Sequence, residues 1–600
     1  MTSPVFVVLN DAGATLSRRL MSGLAGAELH GYAPRVSDCD VPFERVQDHL
    51  RAIFSDGRPL VAIMSTGIVI RAIGALATDK RREAPVICIN DTGSTVVPLL
   101  GGHSGGNRLA AQLAETLGVA PAITTGGDSR LGLALDDPPA GLRCSNVDAA
   151  KPVMAALLAG EAVKLINETG VEPGWLEGLN GTFDDSGSFR VVISEATAAD
   201  PEQFTLHPQT HVVGVGCERG VATVEVIALI SDTLAAQNIA PETLAALATI
   251  DIKEDETALR EAAAHFGVPL RLFTADELEA ETPRVTEPSD YVFETVGCYS
   301  VSEAAALASV GANGDLAVPK TKSARATCAI ARSPQIIDAD MVGRAAGHLS
   351  IVGIGPGRAD WRAPEATSAI ACATDLVGYR LYLDLLGGLT EGKIRHDFDL
   401  GEETDRVAHA LNLAAKGKQV ALVSSGDAGI YAMASLAFEL IDQGGNDAWK
   451  RLAIDVVPGI SALQAAAARS GAPLGHDFCA ISLSDLMTPW EVIENRLAKA
   501  GDGDFVIALY NPVSKRRRDQ FGIAKDILLK SRPGGVPVLL ARNLGREDET
   551  LTLNTLNEVH ADMIDMLTVV IIGSSETRVI DRPDRTFHLY TPRGYGDKKK

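Results

Sequence analysis

Short apolar runs that alternate with alanine-rich stretches are the feature that most constrains the fold of this 600-residue chain. Val61–Met64 and Val86–Ile89 are such runs, and each ends in small or polar residues. Helix-like segments such as Arg108–Leu117 separate them. This alternation predicts several α/β domains with parallel sheets. Aromatic residues make up only 5% of the chain, which favours many small α/β units over one large aromatic core.

Composition and charge exclude some partners. The formal net charge of −22 argues against a nucleic-acid partner, which needs a basic face. A local basic patch can still bind an anionic small molecule inside an acidic protein. No apolar run reaches ~18 residues, so no membrane span is expected. The first residues read as a buried strand without the basic segment of a signal peptide.

The eight cysteines are scattered along the chain. They form no C-x-x-C pair and show no metal-ligand spacing with histidine. We therefore predict reduced core thiols, no metal site and a cytoplasmic location.

Changes in this pattern divide the chain into segments. Two α/β segments flank a Gly- and Asp-rich middle part, and a stretch of mixed polar composition precedes a strong new strand pattern at His348. The last residues have the composition of a frayed tail. The predicted segments, in chain order, are 1–140, 141–209, 210–333, the linker 334–347, 348–592 and the tail 593–600.

Four glycine-marked turns close apolar runs in the last of these α/β segments. They are Gly353–Gly357, Ser424–Tyr431, Val456–Ala462 and Ala508–Pro512. Ligands of open α/β sheets bind at the carboxyl ends of strands, and glycine there lets the backbone approach a ligand. Four such turns predict a site for one multipolar cofactor. A dinucleotide site is the weaker alternative, because Pro356 disrupts the G-x-G-x-x-G spacing.

The order of these motifs resembles the tetrapyrrole (precorrin) methylases. The matching motifs are GxGPG at 353–357, SSGDAGIY at 424–431, VxPGxSA at 456–462, SLSDLMTPW at 482–490 and YNPxSKRR at 510–517. The last two narrow the similarity to the precorrin-3B C17-methyltransferases, the ring-contracting enzymes of cobalamin synthesis. The resemblance covers 348–592 and implies two α/β lobes, at about 348–460 and 475–592. It also implies S-adenosylmethionine as cofactor, a tetrapyrrole substrate and a homodimer formed through this domain.

The resemblance further implies which residues contact the cofactor. They are Pro356, Gly426, Asp427, Ala428, Ser461, Ala462, Tyr510, Asn511 and Ala541. Ala428 departs from the Gly-Asp-Pro of many relatives but fits the C17 branch. Methyl transfer depends mainly on the alignment of two reactants, which contributes about 7–11 kcal/mol. Asp427 is the catalytic candidate, either by orienting the cofactor or by influencing a substrate proton.

A run of cations follows the fourth turn directly. Lys515, Arg516 and Arg517 are predicted to hold the carboxylates of a precorrin, since guanidinium groups suit bidentate carboxylate binding. A solvated helix face is the alternative for such a charge run.

The N-terminal half carries a second set of motifs. They are Ser65–Gly74, Gly101–Asn107, Ile123–Asp128, Gly214–Gly220 and Pro319–Arg325. Together they resemble the cobalt-precorrin-5A hydrolase family over 1–333. That family opens a lactone on the macrocycle and releases acetaldehyde. From about 210 the chain also resembles a small stand-alone protein of aerobic cobalamin synthesis.

Lactone opening needs an activated water and a stabilised oxyanion. The Gly101–Asn107 turn offers backbone N–H groups before a helix. His103 within it is the predicted base, and a histidine that caps a helix or binds a carboxylate is the alternative. Asp128 and Glu218 are further base candidates.

Lys320, Lys322 and Arg325 are predicted to bind substrate carboxylates in this half. The chain thus reads as two joined steps of corrin-ring synthesis. A tetrapyrrole-binding module without catalysis is the alternative for the N-terminal half. Methylation of another ring carbon is the alternative for the C-terminal half, and both cobalt-free and cobalt-containing substrates fit the pattern.

Overall fold

The computed structural model describes most of the chain, in two compact units. One unit contains Met1–Leu349, Leu411–Val420 and Gly444–Ile454, and the other contains Ser350–Ala410, Ala421–Gln443 and Asp455–Lys600. The described residues are 3–22, 24, 26–77, 83–124, 131, 135–172, 174–178, 183–198, 200, 202–444, 446–514, 517–583 and 586–593.

The strands are numbered in chain order. They are β1 Val5–Val8, β2 Glu28–Tyr32, β3 Val41–Phe43, β4 Leu60–Ile63, β5 Val86–Ile89, β6 Val96–Leu100, β7 Leu142–Cys144, β8 Val163–Asn167, β9 Phe189–Ile193, β10 Phe204–Pro208, β11 His211–Cys217, β12 Leu244–Ile250, β13 Leu270–Phe273, β14 Asp315–Lys322, β15 Ala326–Arg332, β16 Arg344–Ala345, β17 His348–Gly353, β18 Asp375–Tyr379, β19 Ile394–Phe398, β20 Gln419–Ser424, β21 Ala453–Val457, β22 Gly471–Ala472, β23 Phe478–Ser482, β24 Val506–Tyr510, β25 Pro537–Arg542, β26 Thr550–Thr555, β27 Thr568–Ile572, β28 Arg578–Asp581 and β29 Phe587–Tyr590.

The helices are numbered in the same way. They are α1 Asp11–Met21, α2 Val46–Ser55, α3 Thr66–Ile73, α4 Gly106–Leu117, α5 Ala150–Ala159, α6 Thr223–Ala236, α7 Thr257–Phe266, α8 Ala275–Glu279, α9 Asp290–Val296, α10 Val301–Val310, α11 Pro364–Cys372, α12 Arg380–Asp384, α13 Glu403–Ala415, α14 Met433–Asp442, α15 Ala462–Ser470, α16 Trp490–Asp502 and α17 Asp519–Leu529.

The first sheet has the order β3-β2-β1-β4-β5-β6. Successive residues of a strand point to opposite faces, so Phe6 and Val8 pack with Leu113 of α4, whereas Val5 and Val7 pack with α2 and α3. Both faces are therefore covered, which explains the uninterrupted apolar strands of the sequence. The strand order reverses between β1 and β4, and such a switch point forms a crevice at the carboxyl edge of a sheet.

The predicted α/β class is confirmed, but the sheets are mixed rather than parallel. In the first sheet, β6 runs antiparallel to β5. Only the turn from Asn90 to Thr95 joins them, and Asn90 Oδ1 accepts a hydrogen bond from Thr95 N at 3.0 Å. So short a connection cannot hold the crossover helix that parallel neighbours need.

Two more sheets complete the first unit. The middle sheet has the order β7-β10-β9-β8, and the third has the order β14-β15-β11-β12-β13-β16. In the third sheet β11, β12 and β13 are parallel, while β15 and β16 run antiparallel to their neighbours. The carboxyl ends of β11 and β14 lie at the same edge.

The stretch predicted as a linker forms ordered contacts with the third sheet. Its Arg344–Ala345 pairs with β13 as β16. The buried carboxylate of Glu254 accepts hydrogen bonds from Arg344 at 2.9 Å and from Gly347 N at 2.8 Å. Polar composition alone does not distinguish a free linker from a segment that binds a buried carboxylate. The predicted segment boundaries themselves stay predictions.

The C-terminal residues form the expected two α/β lobes. The sheet of the first lobe has the order β19-β18-β20-β17-β21, and that of the second has the order β23-β24-β27-β25-β26. A three-stranded sheet, β22-β29-β28, lies beside the second. Strand β24 is parallel to β23, and both β24 and β25 are antiparallel to β27. Strands β23, β24 and β25 therefore end at one edge.

All eight cysteines are free thiols, and Cys39, Cys88, Cys298 and Cys328 are buried. Within the described residues, no helix is both long and apolar enough to cross a membrane.

Buried His211 should make the first unit sensitive to acid. It is 2% exposed, and burial lowers the pKa of His211 to about 4, below the ordinary value of about 6.5. The folded state thus favours the neutral ring. The contribution of neutral His211 to the free energy of unfolding is fully present above pH ~6.5. It is lost as the pH falls towards 4, by about 3 kcal/mol in all. Urea denaturation between pH 7 and pH 4 should show a smaller loss for His211→Gln than for the wild type. The exposed control His476→Gln should match the wild type, and equal losses in all three would contradict this account.

Candidate cofactor site

Three glycine turns of the first lobe meet through their backbones. A Cβ atom on Gly353 would lie 2.7 Å from the carbonyl oxygen of Gly426 and 2.9 Å from the nitrogen of Gly459. A Cβ atom on Gly459 would overlap the same carbonyl oxygen. Gly355 and Gly426 exchange backbone hydrogen bonds of 3.1 and 2.8 Å. These glycines are thus required for contact between turns, whereas the sequence pattern had indicated contact with a ligand.

Gly426 itself is less crowded than Gly353 and Gly459. A Cβ atom there would have no neighbour closer than 4.0 Å, at Ser461 and Ala462. Its φ of +73° is a left-handed conformation that glycine adopts without strain. An added Cβ atom would thus be in ordinary van der Waals contact with the start of α15.

The Asp427 carboxylate holds two turns together. Its Oδ1 accepts a hydrogen bond from Gly429 N at 2.8 Å, and its Oδ2 accepts one from Gly459 N at 3.1 Å. Each carboxylate oxygen is therefore engaged with the backbone. Ala428, the next residue, is fully buried.

The first turn of α15 presents one free backbone donor. Ser461 and Gln464 form a reciprocal capping box, a pattern visible in the sequence as S-x-x-Q that our sequence analysis missed. Leu463 N donates to the Tyr510 hydroxyl at 3.1 Å. Among the described residues, the Ala462 N–H has no partner, and it lies at the positive end of the helix dipole.

The second lobe contributes two turns at its common strand edge. Tyr510 ends β24, and Asn511 follows it with a left-handed φ of +49°. Asn511 Nδ2 donates to Ser482 Oγ at 3.2 Å, at the end of β23. Burial raises the pKa of Tyr510, so its hydroxyl stays protonated. Ala541 of β25 is buried in the same apolar cluster as Tyr510 and Ala462.

The Pro356 turn joins this arrangement through a residue that sequence reasoning missed. Arg546 Nε donates to the Pro356 carbonyl oxygen at 3.3 Å. A Cβ atom on Gly357 would lie 2.7 Å from the oxygen of Gly545. The structure therefore brings the predicted cofactor residues of both lobes into one neighbourhood.

The predicted cations are placed unequally. Lys515 and Arg516 lie outside the described residues. Arg517 is described, and its side chain is only 9% exposed. Its guanidinium donates to the Asn511 carbonyl oxygen at 2.9 Å and lies 3.4 Å from Asp485. Arg517 thus fixes the Asn511 turn and is not free to bind a substrate.

The predicted site elements of the N-terminal sheet lie at opposite edges. Ser65 and Thr66 follow the carboxyl end of β4, next to the switch point. The Gly101–Asn107 turn follows β6, whose Leu100 pairs with Val86 at the amino end of β5. The antiparallel direction of β6 causes this separation. The side chain of His103 and all of Asp128 lie outside the described part of the chain.

The cations predicted on the third sheet have carboxylate partners within the chain. Lys320 Nζ and Lys322 Nζ lie 3.6 and 3.4 Å from one carboxylate oxygen of Glu287. Arg325 donates to Glu218 at 2.9 Å. All three cations lie at or just beyond the carboxyl end of β14. The structure therefore brings them together, but neighbouring carboxylates neutralise their charges. No set of three His, Cys, Asp or Glu side chains among the described residues could hold a metal ion.

Comparison with known proteins agrees with this architecture. Residues 348–560 match the Tetrapyrrole (Corrin/Porphyrin) Methylases. Residues 48–128 match the Cobalamin synthesis G N-terminal family, and residues 211–331 match the Cobalamin synthesis G C-terminus family. The chain belongs to the tetrapyrrole methylase family, with cobalamin synthesis G domains in its N-terminal half.

Individual relatives are similar to the C-terminal part. The chain is 49% identical to the precorrin-3B C(17)-methyltransferase of a Sinorhizobium species over 249 residues, 42% of this chain and 97% of that protein. It is 43% identical to a probable cobalt-factor III C(17)-methyltransferase of Salmonella typhimurium, over 41% of this chain and 99% of that protein. The chain is also similar to the crystal structure of the methyltransferase CobJ. The two sequences are 43% identical, the match covers 41% of this chain and all of the CobJ chain, and the TM-score is 0.39.

Replacement of Gly459 tests the contact between the turns. Gly459→Ala places a methyl group against the Gly426 carbonyl oxygen, where only backbone can move. We expect a loss of about 1–3 kcal/mol in the free energy of unfolding, as for overpacked interiors, measured by chemical denaturation. The control substitution, Gly522→Ala, is at an exposed position of α17. No atom lies within 4 Å of the new methyl group there. It should be neutral or stabilising by about 0.5–1 kcal/mol. Equal stability of Gly459→Ala and the wild type would disprove the tight contact.

Proposed function

We propose that residues 348–592 methylate C17 of precorrin-3B or cobalt-factor III, with contraction of the ring, in the synthesis of cobalamin. The observation that carries this proposal is the convergence of the Pro356, Asp427, Ser461 and Tyr510 turns beside Gly426. The names of the two relatives support the choice of ring carbon. Methylation of another ring carbon is the alternative.

The residues at this site fit S-adenosylmethionine. The free Ala462 N–H at the start of α15 suits its carboxylate, because a helix N-terminus binds anions. Gly426 has no Cβ atom, so a ligand group can approach its backbone. When bound, S-adenosylmethionine supplies an electrophilic methyl group on a sulfonium.

The side chains of the site contribute mainly alignment. The Asp427 carboxylate holds the Gly429 and Gly459 backbones, which supports an orienting role rather than proton transfer. Tyr510 positions the first turn of α15 through its hydroxyl. Rigid placement of both reactants is where most of the rate enhancement of a displacement arises.

The acceptor carboxylates need cations that are not already paired. Among the described residues, Arg380 at the start of α12 and Arg496 on α16 have no ion-pair partner. Lys515 and Arg516, which follow the Asn511 turn in the sequence, remain proposed ligands of these carboxylates. Arg517 supports the site indirectly, by its bond to the Asn511 carbonyl group.

Methyl transfer can be measured directly by mass spectrometry of the tetrapyrrole. The wild type, given S-adenosylmethionine, should add one methyl group to precorrin-3B or to cobalt-factor III, and the accepted form identifies the route. Asp427→Asn should lower kcat/KM by about tenfold or more, since hydrogen bonds to a charged group contribute about 1.5–3 kcal/mol. Exposed Asp562→Asn is the matched control in the same unit. If the wild type binds the cofactor but methylates neither compound, the choice of ring carbon is wrong.

For the N-terminal half we propose lactone hydrolysis of cobalt-precorrin-5A with release of acetaldehyde. The matches of residues 48–128 and 211–331 to cobalamin synthesis G domains support it. His103 remains the proposed base, at the Gly101–Asn107 turn. Lys320, Lys322 and Arg325 remain the proposed carboxylate ligands, and each would first exchange its internal partner, Glu287 or Glu218. A binding module without turnover is the alternative.

Acetaldehyde release separates the two alternatives. The full chain, incubated with cobalt-precorrin-5A and an aldehyde-reducing coupling enzyme, should consume the reduced nicotinamide of the coupled assay. His103→Ala should lose this activity and keep methyl transfer, because the two reactions use different domains. His265→Ala, at an exposed position of α7, should behave as the wild type. Binding of the substrate without aldehyde would identify the half as a carrier.

A further inference from the structure

Tyr431 has a backbone conformation that its side chain disfavours. Its φ is +52°, in the left-handed region. The other non-glycine residues with positive φ in the described part of the chain are Asn or Asp, which tolerate this region better. A bulky residue in such a conformation stores strain that the surrounding structure must offset, and such residues cluster at functional sites.

A long-range hydrogen bond holds Tyr431 in place. Its hydroxyl donates to the carbonyl oxygen of Ala480 in β23 at 2.9 Å. Tyr431 belongs to the first lobe and Ala480 to the second, so this bond joins the two lobes within one unit. The phenol is anchored at its tip while the residue stays in the turn that carries Gly426 and Asp427.

The ring of Tyr431 nevertheless remains open to solvent. The residue is 52% exposed, although a purely structural tyrosine gains most by burying its ring. The ring centroid lies 5.3 Å from that of Tyr510, at an angle of 51°. The exposed aromatic surface therefore begins at the proposed cofactor site.

Burial and charge both act on the Tyr431 hydroxyl. Burial raises the pKa of Tyr431, and the positive charge of Arg496 partly opposes that rise. Arg496 lies on α16 and is exposed, and among the described residues it has no ion-pair partner. Cys479 is the other titratable group whose charge would act on this hydroxyl.

We propose that Tyr431 forms a subsite for the methyl acceptor, with its ring against the flat face of the macrocycle. The inference rests on the proposed methyltransferase function. A planar conjugated ring is the ligand class that an exposed, fixed aromatic face recognises. The Ala480 bond fixes the ring before the substrate arrives, which lowers the entropy lost on binding.

The test compares two substitutions of one residue in the full chain. Tyr431→Phe keeps the aromatic face and loses the bond to Ala480, whereas Tyr431→Leu loses both. Absorbance titration with precorrin-3B and with cobalt-factor III should give a Kd for Tyr431→Leu roughly tenfold above that of the wild type. Tyr431→Phe should stay within about threefold. Calorimetric affinity for S-adenosylmethionine should be unchanged in both variants.

A matched control completes the test. Tyr291→Leu changes an exposed tyrosine of the other unit and should match the wild type.

Two outcomes would overturn the inference. One is equal tetrapyrrole affinity of Tyr431→Leu and the wild type. The other is a rise in Kd for Tyr431→Phe as large as that for Tyr431→Leu, with an equal loss of thermal stability in both variants. This would show that Tyr431 only joins the two lobes through its bond to Ala480. Failure of the wild type to bind any tetrapyrrole would instead refute the proposed function itself.

Discussion

The site of the methylase half depends on direct backbone contact between three turns. Gly355 and Gly426 exchange two hydrogen bonds, and Gly353 and Gly459 stand where any side chain would collide with the Gly426 carbonyl group. Because no Cβ atom fits between them, the turns can approach closely enough for the Asp427 carboxylate to accept the Gly459 N–H. That approach sets the position of α15 and thereby of the one free donor in its first turn.

The second lobe is fitted to this arrangement by side chains that bind backbone groups. Tyr510 accepts the Leu463 N–H, Arg517 donates to the Asn511 carbonyl group, and Arg546 donates to that of Pro356. Several residues that a motif would assign to ligand contact therefore act on the turns instead. Tyr431 differs from them, because it is both anchored across the lobes and exposed.

Sequence patterns predicted the fold class and the group of turns, because both depend on local apolar periodicity and glycine punctuation. The two lobes were implied by the resemblance to the tetrapyrrole methylases. The patterns did not predict the direction of β6, which depends on a turn too short for a crossover helix. For the same reason the Gly101–Asn107 turn and Ser65–Thr66 were not expected at opposite edges. The capping box at Ser461 and Gln464 was readable from the sequence and was missed.

The amino-acid sequence by itself determined that this chain forms α/β domains, that its C-terminal half has the motifs of a tetrapyrrole methylase, and which turns carry glycine. Only the tertiary structure decided which charges are free. Lys320, Lys322, Arg325 and Arg517 look alike in the sequence, but Glu287, Glu218 and Asp485 lie beside them in the fold. The physical reason is that an ion pair depends on distances between residues far apart in the chain, which no local pattern records.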